Sequence, residues 1–319
     1  MDGANNIRSG DQSSAAQERM RHELSPWKLG GLSWQELGKR LWLQIREDDV
    51  SGRAAELSYF FFLAVFPLLF FLVSMLGFIA HGNPQFQQRL ISYLGTVMPP
   101  DATSLVARTL SQLVRHTSGS KLALGLVGAL WTASSGMNAM IEMCNITYDV
   151  KEARPYWKAR GLALMLTIAT SILVMAALIL ILYGPNIADA VFGNNPLVAW
   201  LWKIGQWPVA IFFVLAAFAL IYYFGPDVEH ARWHWITPGS ALGLTLWLLT
   251  SFAFRAYLHF SNSYSATYGS LGAVIILLVW CYLTGAAVMI GSELNSEIEH
   301  AAGERGLAEA KEPGEKKAA

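Results

Sequence analysis

Six long apolar stretches dominate this sequence. A helix that crosses a hydrocarbon core of about 30 Å needs roughly 20 apolar residues. Six windows reach about that length without a single Asp, Glu, Lys or Arg, namely 57–80, 122–141, 161–183, 204–226, 235–254 and 269–292. The sequence therefore predicts a protein that passes through a membrane several times.

The composition agrees with this prediction. Charged residues make up 14% of the chain, whereas a soluble domain holds about 25%. The 23 basic and 23 acidic residues balance, so the chain lacks the basic excess of a nucleic-acid-binding domain. Cys281 lies in the last apolar window and Cys144 lies just beyond the second, which indicates buried thiols rather than a disulfide framework.

We expect an all-α membrane protein with six transmembrane helices in a domain over 40–298. A polar cytoplasmic tail over 1–39 would precede it, and a disordered cytoplasmic tail over 299–319 would follow. Apolar residues at helical spacing predict one amphipathic helix before the first span, over 34–45, and two in the first external loop, 84–119. The predicted spans are 57–80, 122–143, 161–183, 205–224, 236–258 and 269–292.

The distribution of Lys and Arg predicts the orientation. With the N-terminus inside, 17 of these residues fall on the cytoplasmic side and six on the other. The short basic loop after the second span matters most, because long tails follow the positive-inside rule poorly. Both termini are therefore predicted to be cytoplasmic.

The second span carries a polar stripe. Ser134 or Ser135, Asn138, Glu142 and Asn145 recur every three or four residues, which places them on one helix face. Lipid would exclude such a stripe, so it should face other helices or a water-filled cavity. We take Ser134, Asn138, Glu142 and Asn145 as a candidate polar path, with hydrogen-bonded helix packing as the alternative.

Charged residues at the cytoplasmic ends of the spans form a candidate inner mouth of that path. Arg53 and Glu56 lie about a turn apart at the start of the first span and can pair. Glu293 ends the sixth span, and Arg154 lies in the loop after the second. Ordinary ion pairs at helix ends are the structural alternative.

Three further residues have candidate roles. Arg255 and His259 lie four positions apart near the outer end of the fifth span, where they could contact a lipid head group. Snorkelling of the Arg255 side chain needs no such ligand and is the alternative. Pro67 removes a backbone hydrogen bond within the first span and predicts a kink there.

Several motifs resemble those of one bacterial family. They are AAELSY at 54–59, FPL at 66–68, LWTAS at 130–134, NITYDVKE at 145–152, RP at 154–155, YGSLG at 268–272 and GSELN at 291–295. On these motifs the chain resembles the YihY/virulence factor BrkB family of bacterial inner-membrane proteins, roughly over 40–298. The resemblance implies a six-helical inner-membrane protein from a family linked to serum resistance and to export of envelope lipids or lipopolysaccharide precursors. Some members carry a ribonuclease BN label, and the family supplies no catalytic residues.

The sequence contains no Walker motif, no His/Asp metal cluster and no Ser-His-Asp order, so we expect no enzyme activity, cofactor or metal. The first hypothesis is transport or export of an amphiphile, such as a phospholipid or lipopolysaccharide precursor, along the second span. A structural scaffold of the envelope is the alternative, and a membrane-bound ribonuclease is the third. Membrane lipids are the expected partners, without nucleic acid; a homo-oligomer or an envelope protein partner is left open.

Overall fold

The computed structural model describes residues 26–80, 91–92, 95, 103–104, 107, 119–192, 196–228, 236–260 and 270–305. All regular structure in these residues is helical. A short 3-10 helix, Pro26–Gly31, precedes α1, Trp34–Glu47. The long helices that follow are α2 (Val50–Ala80), α3 (Gly119–Thr147), α4 (Tyr156–Phe192), α5 (Pro196–Phe224), α6 (Pro238–Phe260) and α7 (Ser270–Glu304).

Each predicted span coincides with one of the long helices, and the all-α membrane class is confirmed. Most helices run beyond the apolar windows at one or both ends, because a helix continues past the hydrocarbon until a turn stops it. Within the described residues, four segments are long and apolar enough to cross a membrane: Tyr156–Ile181, Ile204–Phe224, Pro238–Leu258 and Val274–Glu304. The number of six spans stays a prediction.

The predicted helix before the first span is present as α1. The Ser33 hydroxyl caps it by accepting a hydrogen bond from the Glu36 backbone nitrogen at 3.3 Å. Leu37 is 1% exposed and packs with Leu29, Leu294 and Ile298. The buried side of α1 therefore lies against the last turns of α7.

The C-terminal boundary differs from the prediction. Helix α7 continues to Glu304, so the expectation of disorder from 299 onwards is wrong for 299–304. Ala301 is 1% exposed, and the Arg40 guanidinium donates two hydrogen bonds of 3.0 Å to the Glu304 carboxylate. These contacts order a segment whose composition alone predicts a frayed end. Residues 306–319 lie outside the described residues.

The two amphipathic helices predicted in the first external loop lie almost entirely outside the described residues. Positions 91–92, 95, 103–104 and 107 are helical. Their burial differs, since Thr103 is buried and Ser104 is exposed. The two helices therefore stay a prediction.

Near α1, the N-terminal ends of α2 and α6 lie beside the C-terminal parts of α3 and α7. We call this the α1 end of the bundle. The first residues of α2 pack with the last turns of α3 and with the middle of α7, through Val50, Met143 and Met289. The start of α6 also meets α7, because the Gly239 backbone nitrogen donates to Asn295 Oδ1 at 2.9 Å. This is the end that the sequence predicts to be cytoplasmic.

Helices α6 and α7 approach so closely that only glycine fits at their crossing. A Cβ atom added to Gly291 would lie 2.5 Å from Tyr222 Oη and 2.6 Å from the Gly239 carbonyl oxygen. Small residues allow such close approach in membrane helix packing. The crossing also fixes Tyr222, whose hydroxyl donates to the Val288 carbonyl at 2.8 Å.

We therefore expect Gly291→Ala to lower the free energy of unfolding by about 1–3 kcal/mol through overpacking. The control is Gly161→Ala, where an added Cβ would meet no atom within 4 Å. That change should be neutral or stabilise by up to about 1 kcal/mol through helix propensity. Unfolding of the purified protein by sodium dodecyl sulfate measures both variants, and equal stability of the two would contradict the crossing.

Candidate functional site

Arg154 joins two connections at the α1 end of the bundle. Its Nε and Nη2 atoms donate to the two carboxylate oxygens of Glu152 at 2.6 and 2.7 Å, a bidentate ion pair. Nη1 donates to the Phe224 carbonyl at 3.2 Å, and Nη2 to the Gly225 carbonyl at 2.7 Å. Carbonyls at a helix C-terminus lack intrahelical partners. One side chain therefore ties the α3–α4 connection to the end of α5.

Asn145 and Asp227 complete this network. The Asn145 Nδ2 donates to Glu152 Oε2 at 2.9 Å, and its Oδ1 accepts from the Asp227 backbone nitrogen at 2.7 Å. Asp227 Oδ2 accepts from the Ala153 backbone nitrogen at 3.0 Å, and its Oδ1 lies 3.8 Å from Arg154 Nε. The buried Asn145 amide thus holds a connection rather than lining an open path.

Sequence reasoning did not select Glu152 or Asp227 as site residues. Glu152 stands two positions before Arg154, and Asp227 directly follows Pro226 at the end of a predicted span. The sequence does show an acidic residue just after an apolar span and, elsewhere, a basic loop. It does not show that the two connections lie side by side, so the partners could not be paired from the sequence.

Glu152 is held as a carboxylate by this network. Partial burial would raise its pKa, but the hydrogen bonds from Arg154 and Asn145 and the charge of Arg154 outweigh burial. The pKa of Glu152 is therefore lowered from its ordinary value of 4.5.

The four residues of the predicted polar stripe do not form one surface. Ser134 is 0% exposed, and its hydroxyl donates to the Trp131 carbonyl of the same helix at 2.7 Å. Asn138 is half-buried and Glu142 is exposed, while Asn145 is buried in the network. The stripe runs along the boundary between the packed and open faces of α3. The structure therefore does not show a common path along these four side chains.

The predicted pair of Arg53 and Glu56 is wrong. Arg53 lies in the first turn of α2, and its Nε donates to the Asp48 carbonyl at 3.0 Å. Glu56 is exposed and forms no ion pair with Arg53. The carbonyl at the preceding turn is the nearer partner for this guanidinium.

Glu293 has different surroundings from the other predicted mouth residues. It is 0% exposed on α7, and its carboxyl group lies against that of Asp48. Burial raises the pKa of Asp48, and the nearby charge of Asp149 adds to the rise. No hydrogen bond or ion pair joins Arg53, Glu56, Arg154 and Glu293 to one another in the described part of the chain. The structure therefore does not bring them together as one mouth.

Arg255 contacts the chain itself. Its Nη1 donates to the Gly95 carbonyl at 2.7 Å, which ties α6 to the connection between α2 and α3. The His259 side chain lies outside the described residues. Helix α2 continues through Pro67. The head-group contact and the kink stay predictions.

A cavity of about 260 Å³ lies between α2, α3, α4 and α7. Apolar side chains form most of its wall, among them Phe61, Leu68, Met137, Val174 and Trp280. On α3 it is lined by Ala133, Gly136, Met137 and Met140, a different face from that of the predicted stripe.

The three threonine hydroxyls in the cavity wall are already hydrogen-bonded. Thr167 donates to the Ala163 carbonyl at 2.7 Å, Thr170 to the Leu166 carbonyl at 2.7 Å, and Thr284 to the Trp280 carbonyl at 2.9 Å. Threonine commonly forms such bonds within a helix. The wall therefore presents a largely apolar surface. Among the described residues, no three His, Cys, Asp or Glu side chains are grouped as metal ligands.

The helix bundle and its long apolar segments define an all-α integral membrane protein. The chain belongs to the virulence factor BrkB family, whose model matches residues 41–315. The family resemblance seen in the sequence motifs is thereby confirmed.

The chain is also similar to individual bacterial proteins. The chain is 31% identical over 261 residues to the "Putative ribonuclease-like protein YfkH" of Bacillus subtilis (strain 168), covering 81% of this chain and 93% of the relative. It is 26% identical over 268 residues to a "UPF0761 membrane protein" of Xanthomonas oryzae pv. oryzae (strain PXO99A), covering 82% of this chain. This chain spans 60% of the length of that Xanthomonas relative. No solved structure matches the chain.

Removing Arg154 should destabilise the bundle. Arg154→Gln leaves Glu152 and the α5 carbonyls without their cation, so we expect a loss of about 2–3 kcal/mol of unfolding free energy. The matched control, Arg40→Gln, removes the more exposed pair with Glu304 and should cost at most about 1 kcal/mol. Detergent unfolding measures the loss of stability in both variants. Equal losses would show that the Arg154 network stabilises the fold no more than the exposed Arg40–Glu304 pair does.

The lowered pKa of Glu152 predicts a pH dependence of stability. A carboxyl group with a depressed folded-state pKa stabilises the fold fully above its ordinary value of 4.5. This contribution is lost as the pH falls through the folded-state pKa. The stability difference between the natural protein and Glu152→Gln should therefore shrink from about pH 6 to about pH 3. A difference that does not change with pH would contradict the ion pair.

Proposed function

We propose that this membrane protein moves an amphiphile, such as a phospholipid or a lipopolysaccharide precursor, across or out of the bacterial inner membrane. The activity is non-enzymatic, and the partners are membrane lipids rather than nucleic acid. The cavity between α2, α3, α4 and α7 is the observation that carries this proposal.

The size and lining of the cavity support an acyl chain as its occupant. Pockets for whole drug-sized ligands hold about 300–1,000 Å³, so a volume of about 260 Å³ suits part of a ligand, such as one chain of a lipid. The threonine hydroxyls in the wall are hydrogen-bonded to carbonyls of their own helices, so they do not require a polar occupant. The lining positions, between Phe61 and Leu68 on α2 and at corresponding depths on its neighbours, all fall inside predicted spans.

The orientation is part of the proposal. The excess of Lys and Arg, 17 against six, favours both termini in the cytoplasm. Under this orientation the Arg154 network lies at the cytoplasmic surface, and Arg255 lies towards the other side.

A scaffold function is the second candidate, and specific contacts favour it. Asn145, Arg154 and Ser134 all use their polar atoms in packing or in local bonds. Thr147 and Ser292 also share a hydrogen bond of 2.6 Å between α3 and α7. A scaffold function does not depend on an open cavity, whereas transport through the cavity does. A variant that fills the cavity therefore discriminates between the two functions.

The name of the Bacillus relative, a ribonuclease-like protein, suggests a nuclease as a third candidate. The balanced charge of this chain, 23 basic against 23 acidic residues, offers no electrostatic attraction for RNA. RNA cleavage by the purified protein that co-elutes with it and needs a divalent metal would favour the nuclease.

The transport proposal predicts that a bulky residue in the cavity stops lipid movement. Thr170→Trp fills the space between the four helices, and we expect it to reduce movement of a fluorescent phospholipid in liposomes to the protein-free rate. The control is Ile172→Trp, at a position of the same helix that is 50% exposed. It should move lipid as the natural protein does.

Both variants must elute as monodisperse protein before reconstitution. A natural protein that is folded but moves no lipid would reject the transport proposal and leave the scaffold. Undiminished movement in Thr170→Trp would show that lipid takes another route.

A further inference from the structure

Arg160 brings a positive charge into the bundle without an acidic partner. It lies in the second turn of α4 and is 9% exposed. Its Nη2 donates to the Trp131 carbonyl at 2.6 Å and to Ser135 Oγ at 3.3 Å. The guanidinium carbon lies 4.5 Å from the centre of the Trp131 ring, a cation–π contact. Within the described part of the chain, no carboxylate forms an ion pair with Arg160.

The depth of this guanidinium makes the missing anion unusual. Trp131 lies near the middle of the predicted second span, about 24 Å along α3 from its Thr147 end. A charge at the centre of a bilayer costs about 3 kcal/mol on insertion scales. A snorkelling arginine turns towards the nearer interface, which here is the α1 end where α4 begins. The Arg160 guanidinium instead contacts Trp131 and Ser135, which lie within the predicted second span.

The guanidinium keeps donors unused. Its Nε is buried without a hydrogen-bond partner, and its Nη1 donates no hydrogen bond. Trp131 is 53% exposed, so the ring against which Arg160 rests reaches the surface of the bundle. Glu142 shares this face of α3 but lies about 10 Å from Ser135 along the helix. The site can therefore accept an anion that approaches from the membrane.

We infer that Arg160, Ser135 and Trp131 bind the phosphate of an anionic lipid head group, an inference that rests on the proposed function and names its substrate class. Charge-assisted hydrogen bonds from arginine to phosphate are short and strong, and they satisfy the unused N–H groups. The exposed Trp131 ring provides an amphipathic contact beside the head group. A phosphate at this depth belongs to a lipid held within the bilayer rather than to a soluble ion.

The test measures lipid binding by native mass spectrometry of the full chain in detergent. The ligands are phosphatidylglycerol and a diacylglycerol with the same chains but no phosphate. The natural protein should prefer phosphatidylglycerol, and Arg160→Gln should weaken its binding by about tenfold, the loss expected for hydrogen bonds to a charged group. Diacylglycerol binding should not change. Arg40→Gln removes the same charge from an exposed ion pair and should bind both lipids as the natural protein does.

A second variant protects the test against misfolding of Arg160→Gln. Ser135→Ala keeps the guanidinium and removes the hydroxyl that fixes it, so it should also weaken phosphatidylglycerol selectively. Equal binding of phosphatidylglycerol by the natural protein and both folded variants would overturn the site. Displacement of the lipid by millimolar inorganic phosphate would instead indicate a site for a soluble anion and would overturn the lipid assignment.

The outcomes separate this inference from the proposed function. Arg160-dependent binding without lipid movement in liposomes would reject transport and leave the head-group site. Cavity-dependent lipid movement with unchanged binding in Arg160→Gln would leave transport and reject the site.

Discussion

A polar group inside a membrane must find its hydrogen-bond partner within the protein, and this requirement explains many of the contacts between the helices. Thr147 bonds Ser292, and Tyr222 bonds the Val288 carbonyl. Arg154 satisfies helix-end carbonyls and an acid together. Within the described residues a few buried polar atoms have no such partner, and the Nε of Arg160 is one of them. Arg160 differs from the unpaired carboxyl group of Glu293 because it is a cation beside an exposed aromatic ring, which suits an anionic ligand.

The helical class followed from the sequence because charge-free windows of this length have few other structures open to them. The ends of the helices did not follow, because contacts between distant segments decide them. Helix α7 extends to Glu304 since Ile298 packs against Leu29 and Leu37. Local composition does not reveal these contacts between distant segments, so it wrongly predicted disorder over 299–304.

The candidate site was predictable only in part. Periodicity placed Asn138 and Glu142 on one face of α3, but it cannot tell which neighbour covers that face. Ser135, the alternative to Ser134, is the serine that meets Arg160. The cavity could not be predicted from the sequence. Its α3 wall consists of Ala133, Gly136, Met137 and Met140, which are residue types typical of ordinary helix packing. Its existence depends on how four helices fit together.

Photo-crosslinking with a labelled lipid shows whether a lipid chain enters the cavity. The protein would be reconstituted with a phospholipid that carries a diazirine in one acyl chain, and the modified residues would be mapped by mass spectrometry. If a lipid chain occupies the cavity, adducts form at Met137, Met140 and Thr170, besides adducts at exposed positions such as Met165 and Ile172. Adducts confined to the exposed positions would show that lipid stays outside the cavity.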